Sequence, residues 1–278
     1  MTPAVQPIRS SLAALSRLAA DREMVEAHLR GLLDSGGQSS SPFRQSMQYA
    51  VLGQGQRIRP ILAVRIARLS GQDGPLALRA ACAVEMIHCA SLIVDDLPCM
   101  DDEQTRRDRP ATHIAFGEAT ALLSAFGLVA MATRGVVEQP CPPSQVSGLI
   151  SFQCALLRVL DASGLCEGQD LDLKVAAADR DRLRQQVNEM KTVPLFELAA
   201  HAGVIFSDQD SHLARSLRAF SRDFGRAFQI VDDYLDGEIE DRAVAVRSLA
   251  QARSHLAAFD PAASELHELI DYLHARCK

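Results

Sequence analysis

The segment Pro75–Val94 is apolar on nearly every side of the helix that its composition favours. A surface helix would show a single apolar stripe, so this segment is typical of a helix buried in the middle of a bundle. A run of acids, DDLPCMDDE (95–103), follows it directly. The chain is therefore expected to pack other helices around this one and to place charged groups at its carboxyl end.

Helix-forming residues dominate the rest of the chain, and the alternating runs typical of β-strands are scarce. Glycine and proline interrupt the pattern at 36–42, 71–74, 140–143, 163–164 and 260–261, without an internal repeat or a flexible linker. The sequence predicts one all-α domain over residues 1–278. The predicted helices are Ser10–Leu33, Ser46–Leu52, Pro60–Leu69, Pro75–Val94, Ala111–Arg134, Ser144–Leu160, Asp179–Phe206, Asp208–Leu235, Ala243–Phe259 and Pro261–Ala275.

The composition disfavours several classes of function. With 35 acidic against 29 basic residues the net charge is −6, which argues against nucleic acid as a partner. Seven cysteines without a CxxC pair fit reduced thiols and exclude a zinc ribbon. The longest apolar run, around 121–132, is shorter than the ~20 residues of a membrane-spanning helix, and no signal peptide is evident. We expect a cytoplasmic protein without a transmembrane segment.

A second acidic cluster lies within FGRAFQIVDDYLD (224–236). Asp232 and Asp236 are four residues apart and share a helix face with Gln229. Carboxylates in apolar surroundings repel each other and lose solvation unless a cation neutralises them. For either cluster alone, a solvated acidic surface is an equally good interpretation. The apolar helices beside both clusters favour a cation site.

The donor atoms indicate which cation would bind. Oxygen ligands without histidine or cysteine favour Mg²⁺ over zinc or copper, and the glycine and terminal glutamate of a calcium loop are missing. Mg²⁺ completes its octahedron with water and phosphate, so paired clusters indicate a diphosphate held by several ions. Arg57, Arg59, Arg106 and Arg107 offer guanidinium groups for it, although each pair alone is more often surface charge. His88, two turns before the first cluster, fits either the site or the core.

Five motifs occur in an order that resembles one family. They are GQRIRP (55–60), VEMIHCASLIVDDLPCMDDEQTRR (84–107), GQDLDL (168–173), MKT (190–192) and FQIVDDYLD (228–236). In these residues the chain resembles the trans-isoprenyl diphosphate synthases, and most of all the bacterial geranylgeranyl diphosphate synthases of the carotenoid type. The resemblance covers about 46–236.

The resemblance implies an all-α isoprenoid-synthase bundle around a deep central cavity, assembled as a homodimer, with several Mg²⁺ ions as cofactor. The implied Mg²⁺ ligands are Asp95, Asp96, Asp101, Asp232, Asp233 and Asp236. The implied contacts of the allylic diphosphate are Arg106, Lys191, Thr192 and Gln229. Those of isopentenyl diphosphate are Gln56, Arg59, His88, Arg107 and Phe228. Gln169 and Asp172 would line the cavity, and the groups closest to catalysis would be Asp95, Asp101, Asp232, Lys191 and Arg106.

The implied reaction needs no protein nucleophile. Mg²⁺ and cationic donors stabilise the leaving diphosphate so that the allylic C–O bond ionises, the isopentenyl double bond attacks, and a proton is lost. An apolar cavity would hold the growing chain away from water. Ala90 and Ser91 would set its depth, with Met86 and Phe126 as a deeper floor. Because Ala90 and Ser91 are small, we expect a C20 product, geranylgeranyl diphosphate, made from farnesyl diphosphate.

Three departures from the family pattern concern substrate binding. Gln56 stands where the family has a lysine for isopentenyl diphosphate, and Asp108 stands where glycine is usual. No lysine occurs from Gly237 to Cys277, and this segment looks shortened. Each lost charge-assisted contact costs on the order of 1.5–3 kcal/mol. Both aspartate motifs are intact, which favours a working enzyme.

Four other functions remain open at this point. A farnesyl diphosphate synthase differs only in cavity depth, and Gln56 also suits a weakly active or regulatory subunit of a heteromeric synthase. A class I terpene cyclase usually needs aromatic walls for its cations, but this chain has no tryptophan and three tyrosines. A helical scaffold with acids on its surface is the remaining alternative.

Overall fold

The structure is a computed structural model that describes residues 5–34, 41–162, 164–175, 180–235, 237 and 242–276. These residues form thirteen α-helices, two 3₁₀ turns and one pair of very short strands, which confirms the all-α prediction. The helices are α1 Val5–Asp34, α2 Pro42–Val51, α3 Ile58–Leu69, α4 Pro75–Asp95, α5 Thr112–Phe116, α6 Glu118–Val137, α7 Val146–Leu160, α8 Leu165–Lys174, α9 Arg180–Lys191, α10 Val193–Gly203, α11 His212–Leu235, α12 Arg242–Ser254 and α13 Ser264–Arg276. The 3₁₀ turns are Pro143–Gln145 and Ala257–Phe259.

Helix α4 lies in the middle of the bundle, as its apolar sequence predicts. Gly74 precedes it and Pro75 occupies its first turn, where a missing amide hydrogen costs nothing. It packs against α3, α6 and α10, and small residues such as Ala80, Ala83 and Ala90 let these neighbours approach closely. Helix α4 thereby carries its C-terminal acids to one end of the core.

Close packing fixes α10 and α11, which carry several of the predicted site residues. A Cβ on Gly203 of α10 would lie 2.4 Å from Cγ2 of Ile66 on α3, so only glycine allows this approach. Phe196 of α10 and Phe224 of α11 are both fully buried, and their rings meet edge to face at 5.8 Å. Each buried phenylalanine contributes about 1.5–3 kcal/mol relative to an exposed one.

Two of the predicted helices are divided in the structure. The helix predicted over Asp179–Phe206 consists of α9 and α10, because Pro194 starts a new helix and cannot donate within the old one. The helix predicted over Ala111–Arg134 is divided at Gly117, whose φ of 84° is not helical. Helix α8 forms where the sequence predicts no helix.

A short hairpin follows the first acidic cluster, where no strand was predicted. Thr105–Arg106 pairs antiparallel with Arg109–Pro110, and the two turn residues, Arg107 and Asp108, have φ of 55° and 61°. A two-residue turn with both residues in the left-handed region matches the right-handed twist of the strands. The hairpin thereby brings Arg106 and Arg107 back towards α4.

By length and composition, three stretches of the described chain could cross a membrane: Pro75–Asp95, Glu118–Val137 and Pro143–Lys174. The apolar window of the first is 67% buried inside the protein, whereas that of the second is only 33% buried. The expectation of a chain without a transmembrane segment is therefore not confirmed and stays a prediction.

Candidate active site

One cavity of about 860 Å³ lies between the start of α3, the C-terminal half of α4 and the end of α11. Arginines dominate its wall, from the N-terminal α1 to the hairpin after α4. The cavity brings together eight of the predicted site residues: Gln56, Arg59, His88, Arg106, Arg107, Phe228, Gln229 and Asp232. Segments far apart in the sequence thus converge on one concave, cationic surface.

Arg59 presents a poorly solvated cation to this cavity. Its guanidinium carbon lies 4.7 Å from the ring centre of Phe196 and 5.7 Å from that of Phe228. Burial lowers the pKa of Arg59 to about 10, although nearby Glu85 raises it, so the group stays charged at neutral pH. Its Nε is buried without a hydrogen-bond partner. An anionic acceptor in the cavity would satisfy this donor.

His88 is a neutral partner of Arg59. Burial lowers the pKa of His88 well below its usual range, and the charges of Arg59 and Arg107 lower it further. Nε2 of His88 lies 3.3 Å from Nη1 of Arg59, and a neutral imidazole can accept from the guanidinium there. His88 therefore orients Arg59 without adding positive charge.

Arg57 also lines the cavity, and its guanidinium supports the loop before α3. It is 2% exposed and has φ 54°, in the left-handed region. Its guanidinium donates to Glu85 Oε1 at 2.7 Å, to the carbonyl of Val51 at 2.7 Å and to the carbonyl of Gly53. Through these hydrogen bonds Arg57 holds the loop that presents Gln56.

Glu85 is a functional residue that sequence reasoning missed. Its carboxylate is 3% exposed, is bonded to Arg57, and lies 4.0 Å from Nη2 of Arg107. A Cβ on Gly55 would come within 2.9 Å of Arg57 and 3.1 Å of Arg107, so glycine lets the loop lie against both groups. The available signal was a single carboxylate in an otherwise apolar turn, three residues before His88.

In the first acidic cluster, Asp95 and Asp101 lie near one another in different surroundings. Burial raises the pKa of Asp95 to about 6; Lys191 opposes this rise, and the charges of Asp101 and Asp96 add to it. Asp101 is exposed and accepts a hydrogen bond from Nε2 of Gln169 at 3.0 Å. Helix α8 therefore contributes Gln169 to this part of the site.

Asp96 differs from both in its surroundings, and its assignment as a Mg²⁺ ligand stays a prediction. It is 1% exposed, and its Oδ1 accepts hydrogen bonds from Nε of Arg106 at 2.9 Å and from Nη2 of the same residue. A buried carboxylate engaged by a guanidinium is poorly placed to bind a metal ion. Asp96 instead positions Arg106, which lines the cavity.

The two described aspartates of the second acidic cluster, Asp232 and Asp233, also lie in different surroundings. Asp233 is 6% exposed, accepts from Nε2 of Gln229 at 2.6 Å and lies 3.4 Å from Nδ2 of Asn188. These partners hold the carboxylate inside the bundle, and its assignment as a Mg²⁺ ligand stays a prediction. Asp232 lines the cavity, with its side chain 32% exposed. Asp236 lies outside the described residues.

Polar contacts connect α8 and α10 to this cluster. Oγ1 of Thr192 donates to Oε1 of Gln229 at 2.8 Å, so the break between α9 and α10 faces α11. Nζ of Lys191 is paired with Asp172 of α8 at 2.7 Å. Thr192 is thus joined to the cavity wall through Gln229, and Lys191 is joined to α8 through Asp172.

The described residues allow a test of the implied Mg²⁺. In this part of the chain, which excludes Asp236, no three histidine, cysteine or acidic side chains converge on one point. Mg²⁺ needs only one or two carboxylates where water and phosphate supply the remaining oxygens. A buried Asp95 whose pKa is raised by neighbouring acids would gain from such a cation, so the donor set fits Mg²⁺.

The predicted chain-length residues do not share one location. Met86 and Ala90 are buried in α4, and Ser91 is half-buried one turn before its end. Phe126 is 66% exposed on the outer face of α6, and its assignment as part of a cavity floor stays a prediction. The helical phase of α6 turns its core side to Ala125 and Leu128 instead.

Arg276 is the second site residue that sequence reasoning missed, and no sequence signal marks it. It lies in the last turn of α13, and its guanidinium reaches Asp232, Gln56 and Phe228. The contact with Gln56 joins residues 220 positions apart, which no local pattern predicts.

The bundle and its cavity, with guanidinium groups and carboxylates on facing walls, define an all-α protein of the isoprenyl synthase type. The chain belongs to the polyprenyl synthetase family, whose family model matches residues 40–244.

Comparison with individual relatives agrees with this family. The chain is 36% identical over 211 residues to geranylgeranyl pyrophosphate synthase 7, chloroplastic, of Arabidopsis thaliana, covering 73% of this chain and 60% of the relative. It is 37% identical over 196 residues to the heterodimeric geranylgeranyl pyrophosphate synthase large subunit 2 of the same plant, covering 69% and 51%. The match thus spans only half to three-fifths of these relatives' length.

Solved structures match over more of the chain. A geranyltransferase from Legionella pneumophila superposes with a TM-score of 0.87 at 28% identity, covering 96% of this chain and 99% of the other. An FPP/GFPP synthase from Zymomonas mobilis gives a TM-score of 0.83 at 28% identity, covering 94% and 99%.

Proposed function

We propose that the chain is a trans-prenyltransferase that condenses isopentenyl diphosphate with an allylic diphosphate. One observation carries this proposal: Arg59, Arg106 and Arg107 meet Asp232 in a single cavity, next to the end of α4 that bears Asp95. Guanidinium groups bind phosphate oxygens in pairs, whereas carboxylates beside a diphosphate require a cation between them. The family and the names of its relatives support the same chemistry.

In the proposed mechanism the cavity holds isopentenyl diphosphate. Arg59 and Arg107 bind its diphosphate, and the buried Nε of Arg59 gains an acceptor. His88 keeps Arg59 in place, while the ring of Phe228 lines the same cavity. Fixing this reactant beside the second substrate removes much of the entropic cost of a bimolecular step.

The allylic diphosphate is proposed to bind between Arg106, Lys191 and the two aspartate walls. Mg²⁺ held by Asp95, Asp101 and Asp232 would stabilise charge on the leaving diphosphate. The allylic C–O bond breaks, with its electron pair leaving on the diphosphate. The isopentenyl double bond then forms the new C–C bond, and transfer of one proton from the resulting cation to the released diphosphate restores a double bond. Asp96 serves this step by orienting Arg106.

Geranylgeranyl diphosphate is the product that we propose, made from farnesyl diphosphate. Ala90 and Ser91, the residues of α4 before Asp95, are small, so we expect them not to stop the chain at C15. The Arabidopsis thaliana relatives are named for geranylgeranyl pyrophosphate synthesis. Farnesyl diphosphate is the second candidate, because a structurally similar synthase is named for FPP and GFPP.

We further propose a homodimer that works in the cytoplasm. Exposed apolar residues of α6 support a dimer, and the six cysteines of the described chain, all free, support a reducing compartment. Assembly with a different subunit is the alternative, because one relative is named as a subunit of a heterodimer.

Product analysis tests the reaction and the chain length together. The full chain is incubated with isopentenyl diphosphate, farnesyl diphosphate and Mg²⁺, and the products are dephosphorylated and separated by length. We expect a C20 alcohol, lost with a chelator and in the Asp95→Asn variant. A C15 product formed only from geranyl diphosphate would establish farnesyl diphosphate synthesis instead. No elongation from any allylic starter would contradict the proposal and favour a regulatory subunit.

A further inference from the structure

Arg276 spans two walls of the candidate active site from the far end of the chain. Its Nη2 lies 2.9 Å from Oδ1 of Asp232, and its Nη1 lies 3.5 Å from Oε1 of Gln56. Its guanidinium carbon lies 5.7 Å from the ring centre of Phe228. All three partners line the cavity, and the arginine side chain is 22% exposed. The guanidinium of Arg276 thus contacts three residues of the cavity wall.

The pairing of Arg276 with Asp232 affects what each of these two charged side chains can bind. Among the described residues of the second acidic cluster, Asp232 is the carboxylate that lines the cavity, whereas Asp233 is held by Gln229. A carboxylate paired with a guanidinium is less available to a divalent cation. Conversely, when the carboxylate of Asp232 binds a metal cation instead, the guanidinium of Arg276 needs another anion nearby. A substrate diphosphate in the cavity is such an anion.

Gln56 makes this exchange of partners possible. Its amide oxygen lies 3.5 Å from Nη1 of Arg276, and a neutral acceptor holds the guanidinium without cancelling its charge. Arginine carries five N–H donors, so two acceptors on the protein leave donors for phosphate oxygens. The aromatic face of Phe228 stabilises the cation as well.

We propose that Arg276 is a substrate-positioning residue that binds the diphosphate of isopentenyl diphosphate and competes with the metal ion for Asp232. The inference rests on the proposed function and adds to it a residue of the last helix. Substrate and metal binding are thereby coupled, because the metal takes the carboxylate while the substrate takes the guanidinium.

The Arg276→Ala variant tests this coupling with two readouts that move in opposite directions. The KM for isopentenyl diphosphate is expected to rise about tenfold, because a charge-assisted contact is lost. Binding of Mn²⁺ to the substrate-free protein, titrated by electron paramagnetic resonance, is expected to tighten about two- to fivefold, because Asp232 loses a competing partner. Arg276→Lys keeps the charge and is expected to lie closer to wild type in both readouts. Arg253→Ala, which removes a surface pair with Asp271, is the matched control.

Each other outcome overturns the proposal. Weaker binding of both Mn²⁺ and substrate would show that Arg276 only packs α13 against the bundle. The proposal would also be contradicted if neither readout changed or if only one of them did. It would be contradicted as well by a KM effect confined to the allylic substrate, or by a lysine variant equal to the alanine variant. If the wild-type chain makes no product, the proposed function fails first. Calorimetric titration of isopentenyl diphosphate in metal-free buffer then decides on Arg276 separately, and equal affinity of wild type and Arg276→Ala would refute its role.

Discussion

Asp95 and Asp96 are neighbours in the chain, yet the end of α4 gives their carboxylates opposite surroundings. The carboxylate of Asp95 lies near Asp101, and burial raises its pKa to about 6, so a cation would stabilise it. Asp96 turns inwards to Arg106 and is neutralised by the protein itself. Two adjacent acids of one motif are therefore expected to serve different parts of the reaction.

Substitution by asparagine is expected to separate these two roles. Asp95→Asn removes a carboxylate that we propose binds Mg²⁺, so we expect kcat to fall at least a hundredfold and the Mg²⁺ requirement to rise. Asp96→Asn leaves Arg106 without its anion, so we expect roughly a tenfold rise in KM for the allylic substrate with an unchanged Mg²⁺ requirement. Steady-state kinetics over a Mg²⁺ series measures both. Equal shifts of the Mg²⁺ curve in the two variants would return Asp96 to the metal ligands.

Glu85 offers a test of stability at the same scale. Its carboxylate and the guanidinium of Arg57 are both almost fully buried, and breaking such a pair leaves an uncompensated buried charge. Glu85→Gln is expected to lower the free energy of unfolding by about 3 kcal/mol, measured by urea denaturation. Glu138→Gln removes an exposed carboxylate paired with Arg134 and is expected to change it by less than about 0.5 kcal/mol. Similar losses in both variants would show that burial of the pair is unimportant.

At the scale of elements, the position of α10 depends on its contact with α3. Thr192 at the start of α10 contacts Gln229, so a shift of α10 moves this part of the site. Gly203 near its other end allows α3 to approach, since a Cβ there would meet Ile66 at 2.4 Å and the carbonyl oxygen of Ala63 at 2.7 Å. The backbone of α3 cannot move aside as a flexible side chain can.

Alanine at this glycine is expected to destabilise the protein, although alanine favours helix. Gly203→Ala overpacks the contact with α3, and we expect a loss of about 1–3 kcal/mol in the free energy of unfolding. Gly31→Ala is the matched control, because Gly31 lies exposed in α1 with no atom within 4 Å of the added Cβ. There we expect a gain of about 0.5–1 kcal/mol from helix propensity. Thermal and urea unfolding measure both variants, and a stabilised Gly203→Ala would show that α3 and α10 pack less tightly.

Sequence predicted those parts of the site that depend on local spacing. The apolar α4 and the shared face of Gln229 and Asp232 follow from helical periodicity. The division at Pro194 was missed because the helix-forming residues around it outweighed one proline in the pattern. Glu85 and Arg276 were missed for another reason: their roles arise from tertiary contacts, in Arg276 with residues on α11 and before α3.

At the scale of the whole molecule, an apolar surface on α6 has no partner within the described chain. Leu122, Leu123, Phe126 and Val137 lie on the outside of this helix, with Phe126 66% and Leu123 58% exposed. They recur at helical spacing, so they form one stripe instead of scattered positions. Ile150 of α7 is also 59% exposed. Large apolar side chains on one face favour association with another chain, and the proposed homodimer would cover them.

A charge in this stripe is expected to separate the dimer. Phe126→Glu and Leu123→Glu would place a carboxylate in an interface without a cation for it, so we expect a single-chain mass by light scattering, against twice that mass for wild type. Leu15→Glu, at a residue 50% exposed on α1, is the control and should leave the mass unchanged. Folding of the variants is checked by circular dichroism, because both side chains are exposed and their loss should not unfold α6. A wild-type chain that is monomeric on its own would contradict the homodimer and direct the search to a different subunit.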